Sequence, residues 1–308
     1  MEKTQFNKCI DKIRDNIDLK SLYELWREAH AAEVEEIKEK IALEREGDEE
    51  EAFVFKYKLY AEKMKKDKTH KNTISSHFVQ FFYKDCVSCK RSMEADQLHA
   101  KTVQKPWEYV LANAFNMDGS YGEFDVKDGY KYICMLKEAN DSKKVCIKDY
   151  VPKLAKEYIN EWICNWKEKN ETAPMLTKIN NEFRLFLKCD DFTKKMAYMN
   201  VNKRGGTEST QGRDRNAVIN YADKYKEFIL KEIDILSKQN EEVIVFVCGL
   251  GTKYFPPLIR SLTGHSQEKV NDNCTSYEYK YQNKDKKIKF INIQHPSSSV
   301  KRGKLFVK

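Results

Sequence analysis

The sequence lacks several features that mark specialised classes of protein. No apolar run approaches the roughly 20 residues that span a bilayer. Glycine and proline, at 11 and 6 residues of 308, show no low-complexity bias. The amino-terminal stretch MEKTQFNKCIDKIRDNID is amphipathic and carries acids, unlike a secretory signal. We therefore expect a cytoplasmic globular protein of one large domain or two smaller ones, with no membrane partner.

Familiar catalytic motifs are also missing. The chain has no GxxxxGK loop and no GxSxG elbow, which disfavours a P-loop nucleotide hydrolase and a serine hydrolase. The segment GLGT is too short for a dinucleotide-binding fingerprint. We therefore expect no cofactor.

The nine cysteines are scattered and odd in number, which favours reduced thiols over a disulfide framework. One pair, Cys86 and Cys89 in KDCVSCKRS, has the spacing of half a zinc or iron–sulfur site. No second CxxC and no HxxxH follows, and the spacing of His77 and His99 is not diagnostic. We predict no metal site, although this pair leaves the question open.

The first 75 residues have a helical, highly charged pattern. Within LYELWREAHAAEVEEIKEKIALERE, apolar residues recur near helical spacing at Leu22, Trp26, Ala29, Val34, Ile37 and Ile41. A second charged helix is predicted after Gly47. We interpret this N-terminal region as a helical cap on a main domain of residues 76–308. The alternative is an arm that binds DNA or another partner, and the net charge of +8 is compatible with a polyanion.

Four short apolar runs have the length and composition of buried strands, at residues 130–136, 196–201, 243–249 and 288–293. Helical segments lie between most of them. This alternation predicts an α/β fold of three layers, α/β/α, around a central four-stranded parallel sheet. Ligands bind such sheets at the carboxyl ends of the strands. The residues that follow each run are therefore the candidates for chemistry.

The segments after the four runs are KEAND, NVNKRGG, GLGTKYF and QHPSSS. They would bring a carboxylate, carboxamides, glycines and an imidazole to one edge of the sheet. Each residue alone also has a structural explanation, such as a turn asparagine or a capping histidine. Their joint placement favours a functional site.

Three of these segments resemble motifs of the uracil-DNA glycosylase superfamily, across about residues 130 to 308. LKEAND resembles the family's first motif, which is commonest as GQDPY, GEAPG or GMNP. YMNVNKRGG resembles the second-strand segment whose asparagine recognises the base, and HPSSS resembles the final HPSP-type motif. In this chain Lys137 and Asn140 replace the glycine and proline of the first motif, and no bulky residue that would exclude thymine is evident.

The resemblance implies a DNA glycosylase that flips a uracil or modified pyrimidine out of DNA and leaves an abasic site, as in DNA repair by base excision. Without the bulky residue, a hypermodified cytosine of phage DNA becomes a candidate substrate. The protein would then serve in antiviral defence.

The resemblance also implies roles for individual residues. His295 would donate a hydrogen bond to the departing base, and Glu138 would orient or deprotonate water, with Asn140 and Asp141 as rivals for that role. Asn200 would recognise the base edge through its donor and acceptor. Contacts to DNA phosphates are implied for Lys203, Arg204, Ser297, Ser298, Ser299, Lys301 and Arg302.

Two other functions stay open on the sequence. One is a catalytically inactive DNA-binding protein with the same fold, which the altered first motif favours. The other is a hydrolase of free nucleotides or nucleosides. An enzyme that acts on DNA would differ from such a hydrolase because its affinity for substrate falls steeply with salt.

Overall fold

The computed structural model describes residues 4–13, 16–43, 129–140, 181, 183, 188, 196–206, 213–266, 269–281 and 285–295. Its helices are α1 (Gln5–Asp11), α2 (Leu19–Leu43), α3 (Arg213–Lys224), α4 (Lys226–Ser237) and α5 (Gly251–Thr263). Its strands are β1 (Tyr132–Asn140), β2 (Met196–Gly206), β3 (Glu242–Cys248), β4 (Ser276–Lys280) and β5 (Lys287–Ile293).

The five strands form one mixed sheet in the order β2-β1-β3-β5-β4. The first four in that order are parallel neighbours, and they are the four strands that the apolar runs predict. The fifth, β4, pairs antiparallel with β5 at one edge. The prediction of a four-stranded sheet is therefore wrong in its strand count. The prediction missed β4 because Tyr277 and Tyr279 alternate with charged residues, so this short strand contains no continuous apolar run.

Strands β1 and β2 also continue beyond their predicted ends. Glu138 pairs with Asn202, and after an irregularity Asn140 pairs with Gly206. Segments interpreted as loops from their polar side chains are thus strand. Backbone hydrogen bonding between the two strands stabilises this extension in spite of the poor strand propensity of Asn, Lys and Gly.

Alternate residues of the parallel strands point to one face of the sheet and pack there against helices. In parallel strands with aligned registers, Ile133 lies beside Val245, and Val245 beside Phe290. These residues share one hydrophobic core with the apolar sides of α3, α4 and α5. Burial of this face is the main favourable term that holds the helices on the sheet.

The N-terminal helices belong to the same core. The indole ring of Trp26 is fully buried and stacks on the rings of Tyr221, Tyr225 and Phe228, with centroids 6.5, 6.2 and 5.3 Å apart. Helix α2, which the periodicity predicts, thus packs on the helical layer. The helix expected after Gly47 and the domain boundary at residue 76 lie outside the described residues.

A local signal sets the start of α2. The carboxylate of Asp18 accepts a hydrogen bond from the Ser21 amide at 2.7 Å, which satisfies one of the unpaired N–H groups at the helix start. This hydrogen bond lowers the pKa of Asp18. Across the described ranges, no helix combines the length and apolar character needed to cross a membrane.

Candidate functional site

The carboxyl ends of the four parallel strands meet at one edge of the sheet, called here the carboxyl edge. Cys134 pairs with Phe246, and Phe246 pairs with Ile291. Glu138 lies on β1 four residues after Cys134, and His295 lies two residues beyond the end of β5. Strands β1 and β5 flank β3, two strand spacings or about 10 Å apart. The strand directions thus bring these two predicted catalytic residues to one edge.

His295 packs against a glycine at the end of the central strand. A side chain at Gly249 would place its Cβ 2.6 Å from the Cβ of His295 and 3.1 Å from its Cδ2. Gly249 has a φ of +75°, and its amide donates a hydrogen bond to the Ile293 carbonyl at 2.8 Å. The absence of a side chain at Gly249 therefore lets the half-buried imidazole lie over the end of β3, between β5 and β1.

The predicted base-recognition residue Asn200 lies within β2, opposite Leu136. Asn200 is only 2% exposed, and Asn202, on the same face, is also buried. Two carboxamide side chains of β2 are thus buried on one face of the sheet near the carboxyl edge.

The prediction that Lys203 contacts DNA phosphates is wrong for this structure. The Lys203 ammonium is fully buried and lies 2.7 Å from Glu232 Oε2 and 2.9 Å from Glu232 Oε1. Tyr23 Oη donates a hydrogen bond to Glu232 Oε1 at 2.6 Å, and the ammonium lies 5.0 Å from the ring centroid of Trp26. The sequence shows a basic residue in a polar run, but not the helix that covers it.

Two thiols lie close together inside the sheet. Cys134 Sγ and Cys248 Sγ are 3.4 Å apart on adjacent strands, and both are buried. Burial, and then the neighbouring thiol of Cys134, raise the pKa of Cys248 well above its ordinary range. A neutral thiol is a poor nucleophile, so Cys248 does not offer covalent catalysis beside His295.

Several predicted residues lie outside the described part of the chain: Asp141, Ser297, Ser298, Ser299, Lys301 and Arg302. Arg204 lies on β2, opposite the end of β1. Within the described residues, no group of three His, Cys, Asp or Glu side chains is placed to hold a metal ion. The Cys86–Cys89 pair is not among them.

Residues that the sequence analysis missed lie on the helices that follow β2 and β3. The guanidinium of Arg215 and the ammonium of Lys253 lie 5.3 and 5.4 Å from the ring centroid of Tyr254. All three belong to the first turns of α3 and α5. Arg215 and Lys253 were recognisable only as basic residues shortly after strands, and nothing in the sequence indicates that their helices converge.

The described geometry offers an imidazole at the carboxyl edge and buried carboxamides on β2. Such an edge suits hydrogen bonding to a polar ligand and activation of water. Comparisons with protein-family models, with curated proteins and with solved structures find no match to this chain.

Proposed function

We propose that this protein is a DNA glycosylase that hydrolyses the bond between a flipped pyrimidine and its deoxyribose. The observation that carries the proposal is the placement of His295 over Gly249 at the carboxyl edge. Strand β1, with Glu138 near its end, runs parallel toward the same edge. The motif resemblance of LKEAND, YMNVNKRGG and HPSSS supports the same function. Uracil and hypermodified cytosine are the two proposed substrates.

Each role follows from the charge that develops during the reaction. As the glycosidic bond breaks, the base becomes anionic and the sugar becomes oxocarbenium-like. A donor fixed near the base carbonyl stabilises the first charge, and a neutral imidazole supplies one donor without being protonated. We assign this donor to His295, and we assign the orientation of the attacking water to Glu138.

Base recognition is the role proposed for Asn200, whose carboxamide supplies a donor and an acceptor. Asn200 is buried, so recognition of a base would require this carboxamide to become accessible. Extraction of the nucleotide from the duplex costs a few kcal/mol. That cost is lower for a mismatched or modified base, which would favour such substrates.

The test of this function is excision on a panel of duplexes that contain uracil, deaminated bases or phage-type hypermodified cytosine. Abasic sites are scored by strand cleavage after alkali. We expect cleavage at one modified pyrimidine and none in unmodified DNA. Cleavage on uracil alone would reject the modified-base substrate. Release of bases from free nucleosides, but from no duplex, would contradict DNA as the substrate.

Substitution of Gly249 tests the contact that positions His295. Gly249→Ala places a Cβ 2.6 Å from the Cβ of His295, so the histidine has to move. A displacement of about 1 Å in a catalytic group can lower the rate on the order of 100-fold. We expect a loss of that order in single-turnover base release, with DNA affinity unchanged.

Gly264→Ala is the matched control. Gly264 has a φ of +69°, close to that of Gly249, but a Cβ there would meet no atom within 4 Å. Both substitutions carry the same backbone cost of roughly 1–2 kcal/mol. Only Gly249→Ala should slow base release. If Gly249→Ala and Gly264→Ala release the base at the same rate, the position of His295 does not matter for the reaction.

A further inference from the structure

Arg215, Lys253 and Tyr254, called here the Tyr254 cluster, combine one aromatic ring with two cations. Tyr254 is half-buried and packs against the hydrophobic core, which holds its ring in place. Both cations lie within cation–π range of that ring. A fixed ring therefore holds two like charges near each other.

No acid neutralises this cluster within the described residues. Neither Arg215 nor Lys253 forms an ion pair there, and Arg215 Nε is buried without a hydrogen-bond partner. Helix α5 has no acidic residue in its first turn and no side-chain cap at Leu250. The positive end of its dipole adds to the two charges.

The Tyr254 cluster is close to the candidate catalytic residues in the topology of the fold. Helix α5 begins two residues after Gly249, and α3 is the helix that follows β2. Both helices start on the side of the sheet where the parallel strands end. The cluster thus lies beside the carboxyl edge, on the helical layer.

We propose that the Tyr254 cluster contacts the phosphodiester backbone of the DNA strand from which the base is flipped. The proposal rests on the proposed function, because it requires DNA at the carboxyl edge. Two cations on a held ring, with no acidic partner among the described residues, suit phosphates at defined positions, and the guanidinium plane offers paired donors to them. Arg215 and Lys253 then perform the role that the sequence had assigned to Lys203.

The test measures the dissociation constant of a fluorescein-labelled duplex at several salt concentrations, by anisotropy, for wild type, Arg215→Gln, Lys253→Gln and the double variant. Each lost phosphate contact should lower the slope of log affinity against log salt by about 0.7 to 0.9. Single-turnover base release is measured at saturating DNA, so that weaker binding is separated from slower chemistry. Lys253 is exposed, so Lys253→Gln tests the proposal even if Arg215→Gln unfolds, which a thermal melt would show.

Lys280→Gln is the control, since exposed Lys280 pairs with Lys287 at the amino end of β5 and lies at the opposite edge. Its salt slope should equal that of wild type. If Lys253→Gln also keeps the wild-type salt slope, the proposed contact between the Tyr254 cluster and DNA is wrong, and the proposed function is unaffected. Wild type without salt-dependent DNA binding overturns both. An equal loss of binding to a polyglutamate peptide would assign the cluster to an acidic protein and overturn the DNA contact.

Discussion

Replacement of His295 by alanine is expected to lower single-turnover base release by about 100- to 1,000-fold, the usual cost of one donor that stabilises a developing oxyanion. DNA affinity should change little, because the imidazole acts on charge that appears only as the bond breaks. His295→Ala removes the imidazole that packs against Gly249, and the smaller side chain creates no clash. Folding should therefore be preserved, which a thermal melt checks.

His265→Ala is the matched control for loss of an imidazole. His265 follows the last turn of α5, hydrogen-bonds to Tyr277 Oη and contacts the ring of Tyr279 edge-on. Burial lowers the pKa of His265, which favours the neutral imidazole. Its removal should leave base release unchanged. Base release by His295→Ala at the wild-type rate would exclude His295 as the donor.

The same assay separates an enzyme from an inactive DNA-binding protein. An enzyme should lose base release in Glu138→Gln or Asn140→Ala while it retains much of its DNA affinity. A wild-type protein that binds DNA, but releases no base from any duplex, would instead support the binding function. The two variants also identify which of the neighbouring β1 positions activates water.

The parallel part of the sheet was predictable because buried parallel strands are apolar on both faces. The runs that contain Ile133, Ala197, Val245 and Phe290 stand out from a highly charged sequence for this reason. Strand ends and β4 were not predictable. Pairing with neighbouring strands determines where a strand ends and whether an edge strand forms. Strand β4 has one polar face and therefore contains no continuous apolar run.

The candidate site divides along a similar line. The position of His295 beside Gly249 was predictable because the segments that follow parallel strands lie at one edge of the sheet. Whether a basic residue is buried or exposed was not predictable, because it depends on which helix covers which strand. Lys203 belongs to a polar run in the sequence, and the packing of α2 and α4 decides that it is buried. Arg215 meets Tyr254 only because α3 and α5 are adjacent.

The second large effect is expected for Lys203→Met, which should destabilise the protein by about 3–5 kcal/mol. Lys203 and Glu232 are both 0% exposed, so removal of the cation leaves a carboxyl group in a dry site. Tyr23 Oη still donates one hydrogen bond to that group, but no charge of opposite sign replaces the ammonium. Urea unfolding at equilibrium measures the loss. The salt slope of DNA binding should not change, because Lys203 does not reach the surface.

The double variant Lys203→Met with Glu232→Gln separates the worth of the ion pair from the penalty of a single unpaired charge. Glutamine keeps an acceptor for Tyr23, so most of the stability should return, as it does when a buried pair is replaced as a whole. Lys12→Met is the exposed control: its partner Glu28 lies 3.7 Å away, both side chains are 54% exposed, and the loss should be at most about 1 kcal/mol. A similarly small loss for Lys203→Met would mean that water reaches Glu232, and the ammonium would then again be available to a ligand at the carboxyl edge.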